Sequence, residues 1–299
     1  MPSCREDFVI SSVEEESEEL SFVSEINPND PIVANLFKTI NLIGDNSNID
    51  ISLAEINFGG TDFPTVFTKI IYTSQDDQFI LRNKDFRPTP GNTYWIEAWL
   101  PGSDLDTIKA RTFVPQPIGL SNAEVLSIEE VVVSEEESHY NISLAMAIEE
   151  PVSQPAYFQI LPSRLKSTFR MDANGQMSIT NSPEKERLNI VSIESAQNAV
   201  QRIKHKDGVF IDYSRLTDDV VILNLSTSEP LKSEEEIINI LDIEVNTLSE
   251  ELYQYHISLN QQLISTSSDF FSPSVNYTNI ENGLGVLGSF STKSVLVER

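Results

Sequence analysis

Apolar and polar residues alternate with a period of two through most of this chain, in short runs. The clearest is Thr93–Leu100. Tyr94, Ile96, Ala98 and Leu100 share one face, and Trp95, Glu97 and Trp99 take the other, as the pleat of a strand requires. Runs at Leu20–Ile26, Ile32–Ile40, Ile49–Phe58, Val66–Thr73, Gln78–Arg82 and Thr107–Val114 predict six further strands. The breakers Asn27-Pro28-Asn29-Asp30-Pro31 and Pro88-Thr89-Pro90-Gly91-Asn92 stand in front of strands. About seven short strands with turns every ~8–12 residues is the pattern of an immunoglobulin-like sandwich. Val114-Pro115-Gln116-Pro117 marks a boundary, because proline blocks ladder hydrogen bonds.

A second β-rich block covers residues 118–299. Strands are predicted at Glu124–Val133, His139–Met146, Tyr157–Leu161, Leu188–Ile193, Val209–Tyr213, Val220–Ser226 and Ile237–Val245. Ser167–Met171 and Gln176–Thr180 predict a hairpin around Asn174-Gly175, which tolerates the positive φ values of a type I′ turn. Ala196, Ala199, Val200 and Ile203 fit a short helix over Ser195–Lys204. The better marked helix runs over residues 248–263. Thr247-Leu248-Ser249-Glu250 reads as its capping box, and Leu252, Tyr255, His256, Leu259 and Leu263 form one stripe. The expected architecture is mainly β: a segment 1–19, a sandwich over 20–117, and a second β-rich unit over 118–299 with one short helix.

Composition narrows what such a protein does. The 299 residues carry 46 Asp and Glu against 20 Lys and Arg, a formal charge of −26. That argues against a nucleic-acid binder, which needs clustered cations. A single cysteine, Cys4, excludes an internal disulfide and a CxxC-type zinc or redox site. No apolar stretch approaches the ~18 residues of a membrane span. Glu14, Glu15, Glu16, Glu18 and Glu19 crowd the stretch after Phe8. It is read as a solvated tether rather than a first helical turn, because little helical periodicity follows. On the local residues alone, Cys4 is equally open as an acylated anchor or an incidental thiol.

Candidate chemistry is sparse. Gly283-Leu284-Gly285-Val286-Leu287-Gly288 spells G-x-G-x-x-G. A dinucleotide site needs a following helix, a strand and an acidic residue ~20 positions on, for which Ser289–Arg299 leave no room. These glycines are read as permitting a turn, a bulge or close backbone approach. No H-E-x-x-H, G-x-S-x-G or P-loop is present. His256 is weighed as a general base and, more often for such a position, as a hydrogen-bonded core or rim residue. Asp45–Asp50 and Asp172–Gly175 offer oxygen ligands for calcium but lack the closing bidentate Glu, and read as turns. Trp95 and Trp99 can stack on a sugar, although a core or interdomain role is the commoner use of such a pair. No catalytic residue, metal ligand or cofactor is assigned.

Phe270–Val286, with Asn279-Ile280-Glu281-Asn282-Gly283-Leu284-Gly285 at its centre, resembles the closing signature of a Bacteroidota lipoprotein family, domain of unknown function 4249. Thr89-Pro90-Gly91-Asn92-Thr93-Tyr94 and Phe113-Val114-Pro115 are similar to that family's strand entry and end-of-domain proline. The resemblance implies lipidation at Cys4 and an outer-membrane location, with acidic residues after the cysteine acting as a surface-export signal, from which Arg5 departs. It also implies a TonB-dependent transporter as partner. The expected function is therefore a non-enzymatic accessory or binding subunit of a transporter complex. The alternatives are a stand-alone glycan- or peptide-binding module and a carboxylate-based hydrolase using His256. Asn279, Glu281, Asn282, Gly283 and Gly285 are expected to be structural, with Asn and Glu capping backbone groups.

Overall fold

A computed structural model describes residues 19–38, 50–62, 68–73, 78–81, 85–132, 138–151, 156–171, 177–179, 184–194, 198–227, 237–265 and 277–297. Cys4, the acidic stretch as far as Glu18, Asp172–Gly175 and most of Asp45–Asp50 lie outside these residues. Asp50 itself caps a single 3-10 turn, its carboxylate accepting from Ser52 N at 3.0 Å.

The chain is mainly β, with one α-helix near the C-terminal end of the described residues. The first unit is built from β1 (Leu20–Ile26), β2 (Val33–Lys38), β3 (Glu55–Gly60), β4 (Thr68–Thr73), β5 (Gln78–Leu81), β6 (Thr93–Trp99) and β7 (Ile108–Phe113). Alternation places Leu20, Phe22 and Ile26 of β1 and Tyr94, Ile96 and Ala98 of β6 in one core. The hydrogen-bonded order β1-β2-β5-β4-β3-β6-β7 is that of an immunoglobulin-like Greek key, with β1 and β7 as its two open ends.

The second unit is a sandwich. One layer holds β13 (Asn189–Glu194), β16 (Val220–Thr227), β9 (Ser138–Ile148) and β8 (Leu120–Val132), in that order. The facing layer has β14 (Val200–Gln201), β15 (Val209–Asp212), β10 (Tyr157–Met171), β17 (Ile237–Leu248) and β18 (Gly283–Val297). The short β11 (Met177–Ile179) and β12 (Glu184–Arg187) pair with β10. Ile142, Leu144, Leu223, Phe158, Ile160 and Ile243 are among the residues that fill the space between the layers.

β18 serves both units. Its first half runs parallel to β1, from Leu20↔Gly283 to Ile26↔Ser289. Its second half runs antiparallel to β17, from Leu248↔Phe290 to Leu241↔Val297. Ile280 and Leu287 therefore pack in the core of the first unit, although they follow residue 117 by a long stretch of chain.

Four predicted elements change. The strand expected over Ile49–Phe58 starts instead as the 3-10 turn Ile51–Leu53, and β3 begins only at Glu55. Tyr157–Leu161 and Ser167–Met171 are parts of one strand, β10. The helical spacing over Ser195–Lys204 is overruled, because Val200 and Gln201 pair with Ile211 and Phe210 as a short strand. The helix α1 spans Glu250–Ser265, and its cap is Ser249, whose Oγ accepts from Leu252 N at 3.3 Å. Thr247 remains in β17 and its hydroxyl accepts from Ile118 N at 2.9 Å, tying the linker to the second unit. The buried face of α1 is Leu252, Tyr253, His256 and Asn260, whereas of the predicted stripe Tyr255 and Leu259 are half-buried and Leu263 is exposed.

Candidate functional site

The closing segment is the most specific feature of the sequence, and its residues converge on one place. A seven-stranded Greek key leaves a seam between its first and last strands. Here the seam is sealed. β18 adds to the free side of β1, and Glu281 exchanges backbone hydrogen bonds with Lys109 of β7 at 2.8 and 3.3 Å. Asn279 bridges the gap. Its amide donates to Arg111 O at 3.0 Å and Leu287 O at 2.9 Å, and its carbonyl accepts from Leu287 N at 3.0 Å. Asn282 has φ 59°, a value asparagine tolerates better than most residues, and its amide donates to Thr107 O at 3.2 Å. Glu281 contributes through its main chain: among the described residues its carboxylate caps no backbone group, which departs from the expected capping role.

The glycines fit the same purpose. A Cβ on Gly283 would fall 2.5 Å from Leu20 O and 2.8 Å from Ile108 Cγ2. Gly285 has φ 101°, and a Cβ there would overlap Phe22 O. Gly288 lets α1 approach, since a Cβ would meet Leu252 Cβ at 2.7 Å. The G-x-G-x-x-G spelling is thus three close approaches on one strand.

Behind the seam the two units meet across buried hydroxyls. Thr112 Oγ1 lies 3.3 Å from Ser249 Oγ and 3.1 Å from Ser289 Oγ. Ser289 Oγ donates to Phe113 O at 2.7 Å and Ser291 Oγ to Pro115 O at 2.8 Å. Small hydroxylated residues suit this interface because each can satisfy a main-chain group while letting backbones come close.

His256 belongs to a second contact between the units. The residue is 3 % exposed and its Nδ1 lies 3.2 Å from His205 Nε2. Its Nε2 is 3.5 Å from the Glu25 carboxylate on β1, which also binds Lys206 Nζ at 2.8 and 3.0 Å. Burial, reinforced by Lys206 and His205, pushes His256 down to about 3, so the ring is neutral near pH 7. A buried neutral imidazole with both nitrogens facing protein groups matches the hydrogen-bonded core histidine. The general-base role weighed for it would require a ring open to solvent, and this one is buried. His205 is also pushed down, by burial first, and its buried Nδ1 has no hydrogen-bond partner among the described residues.

Trp95 and Trp99 are half-buried on the outer face of the first unit, so the core role weighed for them is overturned. Tyr94, Ile96 and Ala98 occupy the inner face instead. Trp95 lies against Gly59 opposite it, where a Cβ would meet the indole at 2.6–2.8 Å. Glu97 separates the two rings and pairs with Lys109 at 3.3 Å.

Open hollows occur elsewhere. One of about 330 Å³ lies between β10 and the 202–208 segment, with Arg187, Arg202 and Lys206 at its wall. Another of about 350 Å³ is a trough on the outer face of the second unit, lined by Ser127, Asn141, Ser143, Ser192 and Asn224. Among the described residues no group of His, Cys, Asp and Glu is arranged to hold a metal ion. No described helix is long and apolar enough to cross a membrane.

Comparison with solved structures gives the partial N-terminal region of an enterococcal surface protein, at 9% identity, covering 100% of this chain and 98% of that one, with a TM-score of 0.18. The B domain of a biofilm associated protein follows at 8% identity, 92% and 85% coverage and a TM-score of 0.15. Likenesses this distant carry no argument about function. No curated protein matches the chain. A family model does match, over residues 5–295, and on that extent the chain belongs to the family described as a domain of unknown function (DUF4249).

Proposed function

We propose that this protein is a non-enzymatic accessory or binding subunit, held at the outer membrane by acyl chains on Cys4 and working beside a TonB-dependent transporter. The observation that carries the reading is where its distinctive polar residues are spent. Asn279, Asn282, Thr112, Ser249, Ser289 and His256 fix two β units against each other. A body locked in this way presents fixed outer surfaces, as a docking or binding subunit must. An acylated cysteine gives attachment without a spanning helix, at ~0.8 kcal/mol per buried methylene, and agrees with an acidic segment next to it in sequence. Labelled palmitate should enter the full-length precursor and be lost in Cys4→Ala; label that persists in the variant defeats the anchor. In mild detergent the native protein should co-purify with a transporter, and isolation alone defeats the partner.

A second reading, a glycan- or peptide-binding module, is favoured by the trough of hydroxyl and amide groups and by the half-exposed Trp95 and Trp99. It predicts signal on a glycan array and tryptophan quenching on titration. Silence in both counts against it.

A further inference from the structure

We propose that β8 is a docking edge, whose open side takes up by strand addition an extended segment of a partner protein in which apolar and basic residues alternate. The inference rests on sheet geometry and stands or falls apart from the lipid anchor and the transporter.

β8 is the terminal strand of its layer and runs for 13 residues, pairing only with β9 among the described residues. That is about twice the usual strand length. Its far side presents main-chain donors and acceptors over that span, the template that natural proteins ordinarily cover or blunt. This molecule does cover such a side elsewhere: residues 279–289 seal the seam of the first unit. At β8 no described segment plays that part. Register shifts at Leu120/Asn122 and Val125/Ser127 bend the start of the strand, and from Ser127 to Val132 the ladder with β9 is regular. Bulges limit indiscriminate pairing, which leaves a defined length for one added strand.

The side chains specify that strand. Ala123, Val125 and Ile128 point inward, half-buried at the rim of the second core. A hollow of about 430 Å³ extends from them to Val297 on the facing layer, room for the inward apolar side chains of an added strand. Outward, Glu124 and Glu129 are exposed and make no hydrogen bond or ion pair among the described residues. Glu130, on the same face as Ile128, accepts from Tyr140 Oη at 3.3 Å among the described residues. Leu126, Val131 and Val132 are 53%, 43% and 69% exposed. Cross-strand neighbours of the same charge repel and opposite charges attract, so the residues of the occupant that face Glu124 and Glu129 are Lys or Arg. A second copy of β8 would bring three more glutamates and no basic residue, which disfavours self-pairing.

The test uses the purified full chain and labelled synthetic peptides of about nine residues, the length of a long strand. One alternates Lys and Val, one alternates Glu and Val, and one has the Lys/Val composition in two blocks. Fluorescence anisotropy should show the alternating Lys/Val peptide binding at least tenfold more tightly than either of the others. Hydrogen exchange should slow at β8 amides and not at β13, the opposite edge of the layer. The Glu124→Lys/Glu129→Lys double variant, altered only at exposed positions, should reverse the preference between the Lys and Glu peptides. Equal binding of the alternating and block peptides, protection away from β8, or an unchanged preference in the double variant overturns the proposal. A concentration-dependent dimer that protects β8 in sedimentation and exchange experiments also overturns it, in favour of self-association.

Discussion

Replacing Gly285 by alanine tests the seam directly. At φ 101° the backbone is where L-residues are strained, a cost of about 1–3 kcal/mol. The added methyl would also overlap Phe22 O. Phe22 is the ladder partner of Gly285 and is fully buried, so its carbonyl cannot retreat without moving β1 in the core. Adding partial loss of packing around Phe22 brings the expected total to roughly 3–5 kcal/mol. Urea unfolding of the full chain measures it, with Gly102→Ala as reference. Gly102 has φ 78° but nothing within 4 Å of its Cβ position, and isolates the conformational part. If the two variants differ by less than about 1 kcal/mol, the close-approach argument is wrong.

Asn279→Ala removes one hydrogen bond to β7 and two to β18 and should cost about 2–3 kcal/mol in the same assay. Ser249→Ala should lose about 1–2 kcal/mol as the true cap of α1, and a Thr247→Ala variant should leave the helix signal in circular dichroism intact. Because His256 titrates at about 3 when folded and near 6.5 when unfolded, the unfolded chain binds the extra proton between those values. Stability therefore falls as pH drops through that window. This residue alone should contribute about 2 kcal/mol of loss between pH 7 and pH 5, which His256→Gln removes from the measured slope.

Much of the β pattern was legible because burial on one face writes itself as alternation; β1, β6 and β16 follow it residue by residue. Pro162 hid the continuity of β10. It pairs with Ile243 on one side, and on the other it falls between the stretches bound to β15 and β12, where no donor is required of it. In Thr93–Trp99 both faces are apolar, so periodicity alone could not say which was the core. The first half of β18 carries three glycines and little strand propensity, and its conformation is imposed by Phe22 and Leu252 pressing against it. The seam escaped detection for a different reason. Asn279 and Arg111 are 168 positions apart, and nothing local in either stretch announces the other.

Sharing β18 between the two units also orders events in time. The first unit has its seven strands by Phe113, yet Ile280 and Leu287 of its core arrive only after the second unit has been laid down. During synthesis the early strands wait with an open seam, exposed to wrong partners for the whole interval. Their closure depends on contacts of very long sequence separation, which are slow to form. A fragment ending at the proline linker would be left permanently in that waiting state.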